Sequence, residues 1–333
     1  MTSRNSNKTK KEHYVPRCYL NRWGNEKKQI RVFDKMNNKN WQGNVEDNAC
    51  ERFFYDIKPA DLSVENMIFL HSCGIIPEED EQFIEHFFSE QIETEYANLL
   101  QKIVDGQITL WQEKNCYFIS EKNKLLMAVC LAYQYIRTKQ VREMINGISH
   151  CIEHWMKEMN CIEGLEDKYL LHPGDENIIQ GNMICNYNHV TELTKRLFNL
   201  TWILRIDKTE KLLYTSDSPI GTYPHKFNEY ISMSGIGSEG IEVFIPLSPK
   251  LLLVMYDGDY HTELKKLDRK YFEITSEEDI DTYNLLCLSN SNQYIYSADG
   301  DLDLVHALST EDLKRINMPK VQLSYGGKRY YPM

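Results

Sequence analysis

A few polar residues of this chain could together support hydrolysis, although they lie far apart in the sequence. His13 could act as a general base, because an imidazole changes its charge near neutral pH. Glu93 and Asp217 could serve as a catalytic acid or base. Arg17 and Arg137 could hold an anion, since a guanidinium offers a rigid fork of donors to carboxylate or phosphate. Together these residue types are typical of phosphate-directed hydrolysis, provided the fold brings them together.

Each of these residues also has a purely structural interpretation. Gln134 and Arg137 emerge together from an apolar helix, and either bind substrate or belong to an Arg–carboxylate pair, because an unpaired buried charge is costly. Glu93 or Glu95 could be the carboxylate of that pair, or a buried acid. Asp217 ends an apolar strand just before Ser-Pro, where an aspartate also caps turns. The choice depends on which residues share a pocket.

The segment HYVPR at residues 13–17 is the most unusual element of the sequence. Pro16 restricts the backbone, so it would place His13 and Arg17 at a defined separation. The functional interpretation is a titrating base next to an anion-binding cation. The alternative is an aromatic plug whose histidine is hydrogen-bonded.

Two further patterns are better explained structurally. His150 and His154 match H-x-x-E-H, a zinc-protease pattern, but on a helical wheel they point away from the apolar stripe. We therefore predict a solvated or partner-facing pair. Glycines 235, 237 and 240 have dinucleotide-loop spacing, yet no strand–glycine–helix order surrounds them. We predict a loop between two strands.

The charge of the chain is unevenly distributed. The chain has 38 basic and 49 acidic residues, net −11, whereas residues 1–31 carry nine basic and only two acidic ones. This basic arm could bind nucleic acid or dock on a protein partner, and it could equally be a solvated terminus. The acidic remainder argues against a broad duplex-binding surface, because phosphate neutralisation drives most non-specific affinity.

Cysteine spacing and hydropathy limit cofactors and location. The nine cysteines lie more than four residues apart, which excludes a CxxC knuckle, so we expect no structural zinc and reduced thiols in a cytoplasmic protein. The sequence does not decide whether the site binds a divalent metal. The longest apolar run, Leu125–Tyr133, is nine residues, and a membrane span needs about 20, so we expect no membrane association.

The order of elements predicts an α+β fold, in which an antiparallel sheet from N- and C-terminal strands is covered by a mainly helical middle region. We expect a flexible arm at 1–11 and one domain at 12–333, with a helical subdomain at about 77–200. Periodicity predicts helices over 77–104 and 123–146, a third helical stretch that follows and ends at about 160, and helices over 189–199 and 276–288. Hairpins are predicted for 202–206 with 212–215, and for 241–246 with 251–256.

Several segments occur in an order that resembles a family of unknown function, DUF4238. They are HYVPRCYLNRW at 13–23, FFYD at 53–56, IETEYANLLQKI at 92–103, QYIRT at 134–138, TSDSP at 215–219, IPLSP at 245–249 and YIYS at 294–297. The resemblance covers about residues 12–300, and the opening segment is its most specific part. Here Ser218 stands where the family usually has Asn, and Lys139 where it often has Pro. The family implies no activity.

The residues therefore leave two functions open. One is a nuclease-like hydrolase, or another phosphodiester- or phosphate-directed hydrolase, that uses His13, Glu93 and Asp217, with Arg17, Gln134 and Arg137 on the substrate. The other is a non-catalytic regulatory or partner-binding module, in which the same residues are internal contacts. A shared pocket favours the enzyme.

Overall fold

The computed structural model describes residues 11–110 (side chains to 106), 117–160, 170–228, 231–298, 302–318, 320–326 and 328–332. It confirms the α+β class and the helical middle region. No helix in these ranges is both long and apolar enough to cross a membrane. Most of the buried apolar side chains form one cluster that joins the N-terminal segment, the middle helices and the sheets.

The strands form two larger sheets and two short ribbons. Their bounds are β1 Lys11–His13, β2 Gln29–Asp34, β3 Lys39–Asn44, β4 Cys50–Arg52, β5 Thr201–Asp207, β6 Thr215–Ser216, β7 Gly221–Pro224, β8 Ile241–Ser248, β9 Leu251–Tyr256, β10 Lys270–Ile274, β11 Tyr294–Ser297, β12 Leu323–Tyr325 and β13 Lys328–Tyr330. The four-stranded sheet has the order β3-β2-β11-β6 and is antiparallel, so N- and C-terminal strands do share a sheet as predicted. The five-stranded sheet has the order β10-β5-β9-β8-β7, and its β10–β5 pair is parallel.

Most of the helices lie between β4 and β5 in the sequence. Their bounds are α1 Arg17–Leu20, α2 Val64–Ser72, α3 Phe83–Phe87, a π-helix Phe88–Glu93, α4 Thr94–Leu110, α5 Glu121–Ile136, α6 Lys139–Glu158, α7 Asp175–Cys185, α8 Tyr187–Asn199, α9 Glu277–Asn290, α10 Asp303–His306 and α11 Thr310–Ile316. Short 3₁₀ turns occupy 45–47, 59–61, 77–79 and 262–267.

One predicted hairpin is confirmed and the other is wrong. β8 and β9 pair around the Ser-Pro-Lys turn as expected. β5 and β6 lie in different sheets instead of pairing with each other. The turn between them is held by Lys250, whose ammonium donates to Asp207 and to the carbonyls of Thr209 and Lys211. β5 is buried along most of its length, and it is flanked by strands on both sides.

The predicted helix 123–146 is broken after Ile136. Thr138 is extended, with φ −71° and ψ 153°, and α6 begins at Lys139. The Gln180 side chain donates to the carbonyls of Ile136 and Thr138, which replaces intrahelical bonds lost at the break. This break places Arg137 at the end of α5, inside the protein, where it is 1% exposed.

The predicted helix 77–104 is also interrupted. The interruption determines which glutamate, Glu93 or Glu95, faces Arg137. A π-helix of six residues joins α3 to α4, and such segments insert an extra residue into a helical turn. The helical wheel places Glu95 in the apolar stripe, but Glu95 is exposed in the structure. Glu93, the last residue of the π-helix, faces Arg137 instead.

The N-terminal segment is anchored on strands from the other end of the chain. Tyr19 Oη donates to the carbonyl of Pro246 at 2.6 Å and lies 2.7 Å from Thr215 Oγ1. Trp23 Nε1 donates to the carbonyl of Leu213 at 3.1 Å. Both aromatic rings are fully buried, so α1 is fixed against the sheets. This anchoring sets the position of His13 and Arg17.

Candidate functional site

Arg137 is the centre of a buried polar cluster. Its Nη1 donates to Glu93 Oε1 at 2.8 Å, its Nε to Tyr55 Oη at 3.1 Å, and its Nη2 to the main-chain carbonyl of His13. The guanidinium also stacks on Phe88, 3.9 Å from the ring centroid. Burial disfavours the cation, but Tyr55 and Glu93 outweigh it, and the pKa of Arg137 is raised. The cluster therefore contains a fixed positive charge.

This geometry corrects the prediction that Arg137 binds substrate. Each guanidinium nitrogen already donates to a protein group, and the side chain is 1% exposed. The ion-pair interpretation holds, with Glu93 as the partner. Arg137 fixes both the main chain of His13 and the carboxylate of Glu93, which makes it a positioning residue.

The His13 imidazole lies in this cluster with an unused nitrogen. The residue is 8% exposed, and its Nε2 has no hydrogen-bond partner in the described part of the chain. Burial, then Arg17 and Arg137, lowers the pKa of His13 to about 4, while Glu93 and the main chain of Glu46 oppose the shift. At neutral pH the ring is therefore uncharged, and Nε2, itself a buried atom, carries a lone pair without a described donor.

The charges of Arg17 and Glu93 both act on this imidazole, and they have opposite effects on its pKa. Arg17 is exposed and makes no ion pair within the described ranges, and its charge contributes to the lowered pKa of His13. The Glu93 side chain is 27% exposed although Arg137 holds it. Four of the predicted site residues thus interact in one cluster: His13, Arg17, Glu93 and Arg137.

Gln134 is adjacent to the cluster but enclosed. It lies on the face of α5 between Cys130 and Arg137. Cys18 of α1 is close to both of these residues, because Arg137 lowers the pKa of Cys18 and Cys18 raises the pKa of Cys130. Gln134 is 1% exposed, and neither of its amide atoms has a described partner. A side chain so enclosed cannot reach a substrate at the surface, which corrects its predicted substrate-binding role.

Glu85 belongs to the same cluster and was missed in the sequence. Burial raises its pKa to about 7, Arg137 opposes this, and Glu93 and Glu12 add to it. Its Oε2 is buried without a partner among the described residues. The available signal was a single acid inside the aromatic run FIEHFF at 83–88.

Asp217 is engaged elsewhere. It is fully buried and accepts hydrogen bonds from the main-chain N–H groups of Asn292 (2.9 Å), Gln293 (2.7 Å) and Tyr294 (2.9 Å). Burial raises the pKa of Asp217, and the three N–H donors oppose the shift. Asp217 and His13 are not hydrogen-bonded to each other in the described structure. Asp217 therefore ties β6 to β11, and a pocket shared by Asp217 and His13 stays a prediction.

The two weaker motifs lie on α6 and in the loop between β7 and β8. His150 is exposed, and His154 Nδ1 lies 3.2 Å from the carbonyl oxygen of Tyr331. Across the described ranges, no group of three or more His, Cys, Asp or Glu residues could hold a metal ion. The glycines at 235–240 lie in the loop between β7 and β8.

The flexible arm predicted at 1–11 lies outside the described residues except for Lys11. Lys11 was expected in the flexible arm but belongs to β1, and its ammonium pairs with Asp47. Next to this pair is a groove of about 470 Å³ whose lining includes Tyr14, Trp41 and Tyr294. Trp41 is 39% exposed and packs edge-to-face on Tyr294, 6.0 Å between centroids.

Comparison with known proteins agrees with the sequence resemblance. The family model for "Protein of unknown function (DUF4238)" matches residues 11–301. No curated protein and no solved structure matches the chain. The matched range runs from β1 to just beyond β11 and contains His13, Arg17, Glu93, Arg137 and Asp217. The chain belongs to the DUF4238 family.

Proposed function

We propose that the protein is a cytoplasmic, nuclease-like hydrolase directed at phosphodiesters or other phosphate esters. The observation that carries the proposal is the unpartnered Nε2 of a neutral His13 beside Arg17, an exposed cation without a counter-ion in the described structure. A base with an available lone pair and a cation that can hold a phosphate are the minimum for water to attack phosphorus.

The chemistry follows from these positions. A phosphate on Arg17 would neutralise the charge that lowers the pKa of His13, so the imidazole becomes a stronger base when substrate binds. His13 Nε2 then removes a proton from a water molecule whose oxygen attacks phosphorus. The P–O ester bond breaks, and the leaving oxygen takes a proton from solvent. Glu93 stabilises the imidazolium that forms, since its charge favours protonated His13. Arg137 keeps both groups in place.

The expected effect of His13→Gln is a loss of turnover of at least 100-fold, because general-base catalysis supplies roughly that factor. Hydrolysis of labelled single-stranded and duplex oligonucleotides and of a nitrophenyl phosphodiester would be measured with Mg²⁺, with Mn²⁺ and with chelator. Substrate binding and thermal stability of the variant should match the wild type. Arg17→Ala should reduce turnover more than binding, since a fixed cation acts on developing charge.

The pH dependence provides a second readout of the same proposal. For the wild type, kcat/KM should be constant from pH 6 to 8 and fall only towards the His13 pKa of about 4. In Arg17→Ala this acid limb should move towards pH 6.5, because a cation that lowers the pKa is gone. Arg52→Ala, an exposed arginine on β4, is the matched control. Absence of hydrolysis under every metal condition, or full activity of His13→Gln, would refute the proposal.

A second proposal is a non-catalytic module that binds single-stranded nucleic acid or a protein partner. Two observations favour it. Arg137 and Asp217 are internal contacts, and the Trp41–Tyr294 groove lies beside Lys11, where the basic arm enters the fold. An exposed aromatic ring such as that of Trp41, next to basic chain, is typical of single-strand binding.

Neutralising Lys8 and Lys10 together should reduce the salt dependence of oligonucleotide binding. Each phosphate contact releases nearly one counter-ion, so the slope of log affinity against log salt should flatten by about 1.5–2 units. Lys11→Ala is the internal control and should change the slope less, because Lys11 is paired with Asp47. Equal slopes for wild type and double variant would exclude arm–phosphate contacts and favour a protein partner.

A further inference from the structure

Two lysines converge on one carbonyl oxygen at the C-terminal end of α9. Lys35 Nζ donates to the carbonyl of Ser291 at 2.8 Å, and Lys320 Nζ donates to the same oxygen at 2.5 Å. Lys320 also donates to the carbonyl of Asn290 at 2.7 Å. Carbonyls at a helix C-terminus attract cations, but two ammonium groups on one oxygen also repel each other.

Burial of the ammonium and the charges around it decide the protonation of Lys320. Although much of the residue is exposed, its ammonium is turned inwards onto the carbonyls. Burial of that group and then the charge of Lys35 lower its pKa to about 7, while Asp217 and Cys287 oppose the shift. Near neutral pH a substantial fraction of this amine is therefore uncharged and nucleophilic, as for lysines activated by a neighbouring cation.

Lys320 and Lys35 line a cavity of about 310 Å³ between α6 and the segment that follows α11. The cavity wall also includes Gln140 and Asn317, and Gln140 Oε1 and Asn317 Oδ1 are buried acceptors without a described donor. Glu143 and His150 of α6 are the titratable groups on the opposite wall. Unpaired buried acceptors are costly, so the cavity suits a ligand that brings hydroxyl donors.

We propose that this cavity binds a small hydroxylated aldehyde, and that Lys320 captures it as an imine. The uncharged amine attacks the carbonyl carbon, and the electron pair of the C=O bond moves to oxygen. Transfer of the nitrogen proton to that oxygen gives a carbinolamine, which loses water to leave the C=N bond. The ligand's hydroxyls donate to Gln140 and Asn317, and the charge of Lys35 favours the uncharged amine of Lys320. The described residues that line this cavity include none of His13, Arg17 and Glu93, so the site is independent of the proposed hydrolase.

The test is site-resolved reductive labelling. The full-length protein would be incubated with glyceraldehyde and cyanoborohydride between pH 6 and 10, and labelling of each lysine would be quantified by peptide mass spectrometry. At pH 7 we expect Lys320 to react roughly 100-fold faster than Lys314 or Lys328, because an ordinary lysine is almost fully protonated there. The rates should converge near pH 10. Equal rates at pH 7 would overturn the proposal.

Variants separate the two components of the site. Lys35→Met removes the repelling charge and should slow labelling of Lys320 at pH 7 at least tenfold but not at pH 10, whereas Lys35→Arg should keep the rate. Asn317→Leu should abolish the preference for glyceraldehyde over propionaldehyde and leave the pH profile unchanged. An unchanged rate in folded Lys35→Met, or the same aldehyde preference in Asn317→Leu, would contradict the proposal. If Lys35→Met does not fold, the wild-type profile and Asn317→Leu decide.

Discussion

Replacing Arg137 by methionine should destabilise the protein by about 3–5 kcal/mol, because removing one partner of a buried ion pair leaves the other unpaired. In this variant the carboxylate of Glu93, the Tyr55 hydroxyl and the carbonyl of His13 all lose a charged donor. The free energy of unfolding would be measured by urea denaturation at pH 7. Arg137→Lys should recover little of the loss, since an ammonium cannot replace the three-directional guanidinium.

Arg196→Met is the matched control for this experiment. Arg196 pairs with Glu192 one turn away on α8, but both side chains are more than half exposed. Exposed pairs of this kind contribute less than about 1 kcal/mol. A loss of stability in Arg137→Met no larger than that of the control would show that the buried cluster does not depend on the guanidinium.

Asp217→Ala should be the second severely destabilised variant, with a loss of about 3 kcal/mol or more, because three main-chain N–H groups lose their acceptor. Asp217→Asn should lie between alanine and wild type, since the amide keeps one acceptor oxygen. Thermal unfolding and turnover per folded molecule would be measured together.

A comparison of Asp217→Ala with His13→Gln distinguishes a structural role of Asp217 from a catalytic one. If Asp217 is a structural anchor, turnover per folded molecule is retained while stability falls, and His13→Gln shows the opposite pattern. A stable Asp217→Ala protein without turnover would instead restore Asp217 to the catalytic set.

Local features of the site could be predicted from the sequence, and features that depend on distant partners could not. An arginine leaving an apolar helix needs a carboxylate, and this reasoning identified Glu93 as one of two choices for Arg137. The π-helix decided between Glu93 and Glu95, and a single extra residue per turn has no clear sequence signal. The donors to Asp217 are main-chain N–H groups more than 70 residues away, which no pattern of side chains reveals.

The break between α5 and α6 was missed although a signal for it existed. Neither glycine nor proline interrupts the sequence there, and Gln180, which satisfies the free carbonyls, comes from α7. Lys139, however, stands where the related sequences often carry proline, and it is the first residue of α6. Proline is favoured at that first helical position and ends a preceding helix, so the resemblance marked the break.

The anchoring of the N-terminal segment also constrains how the chain folds during synthesis. Tyr19 and Trp23 bind to positions around residues 213–246, and β2 pairs with β11 at residues 294–297. During synthesis, the segment that holds His13 and Arg17 therefore cannot form these contacts until about 200 or more further residues have been made. Closing such long loops is slow, and apolar surface stays exposed meanwhile. The site is thus completed late in folding, after the middle helices have had time to form.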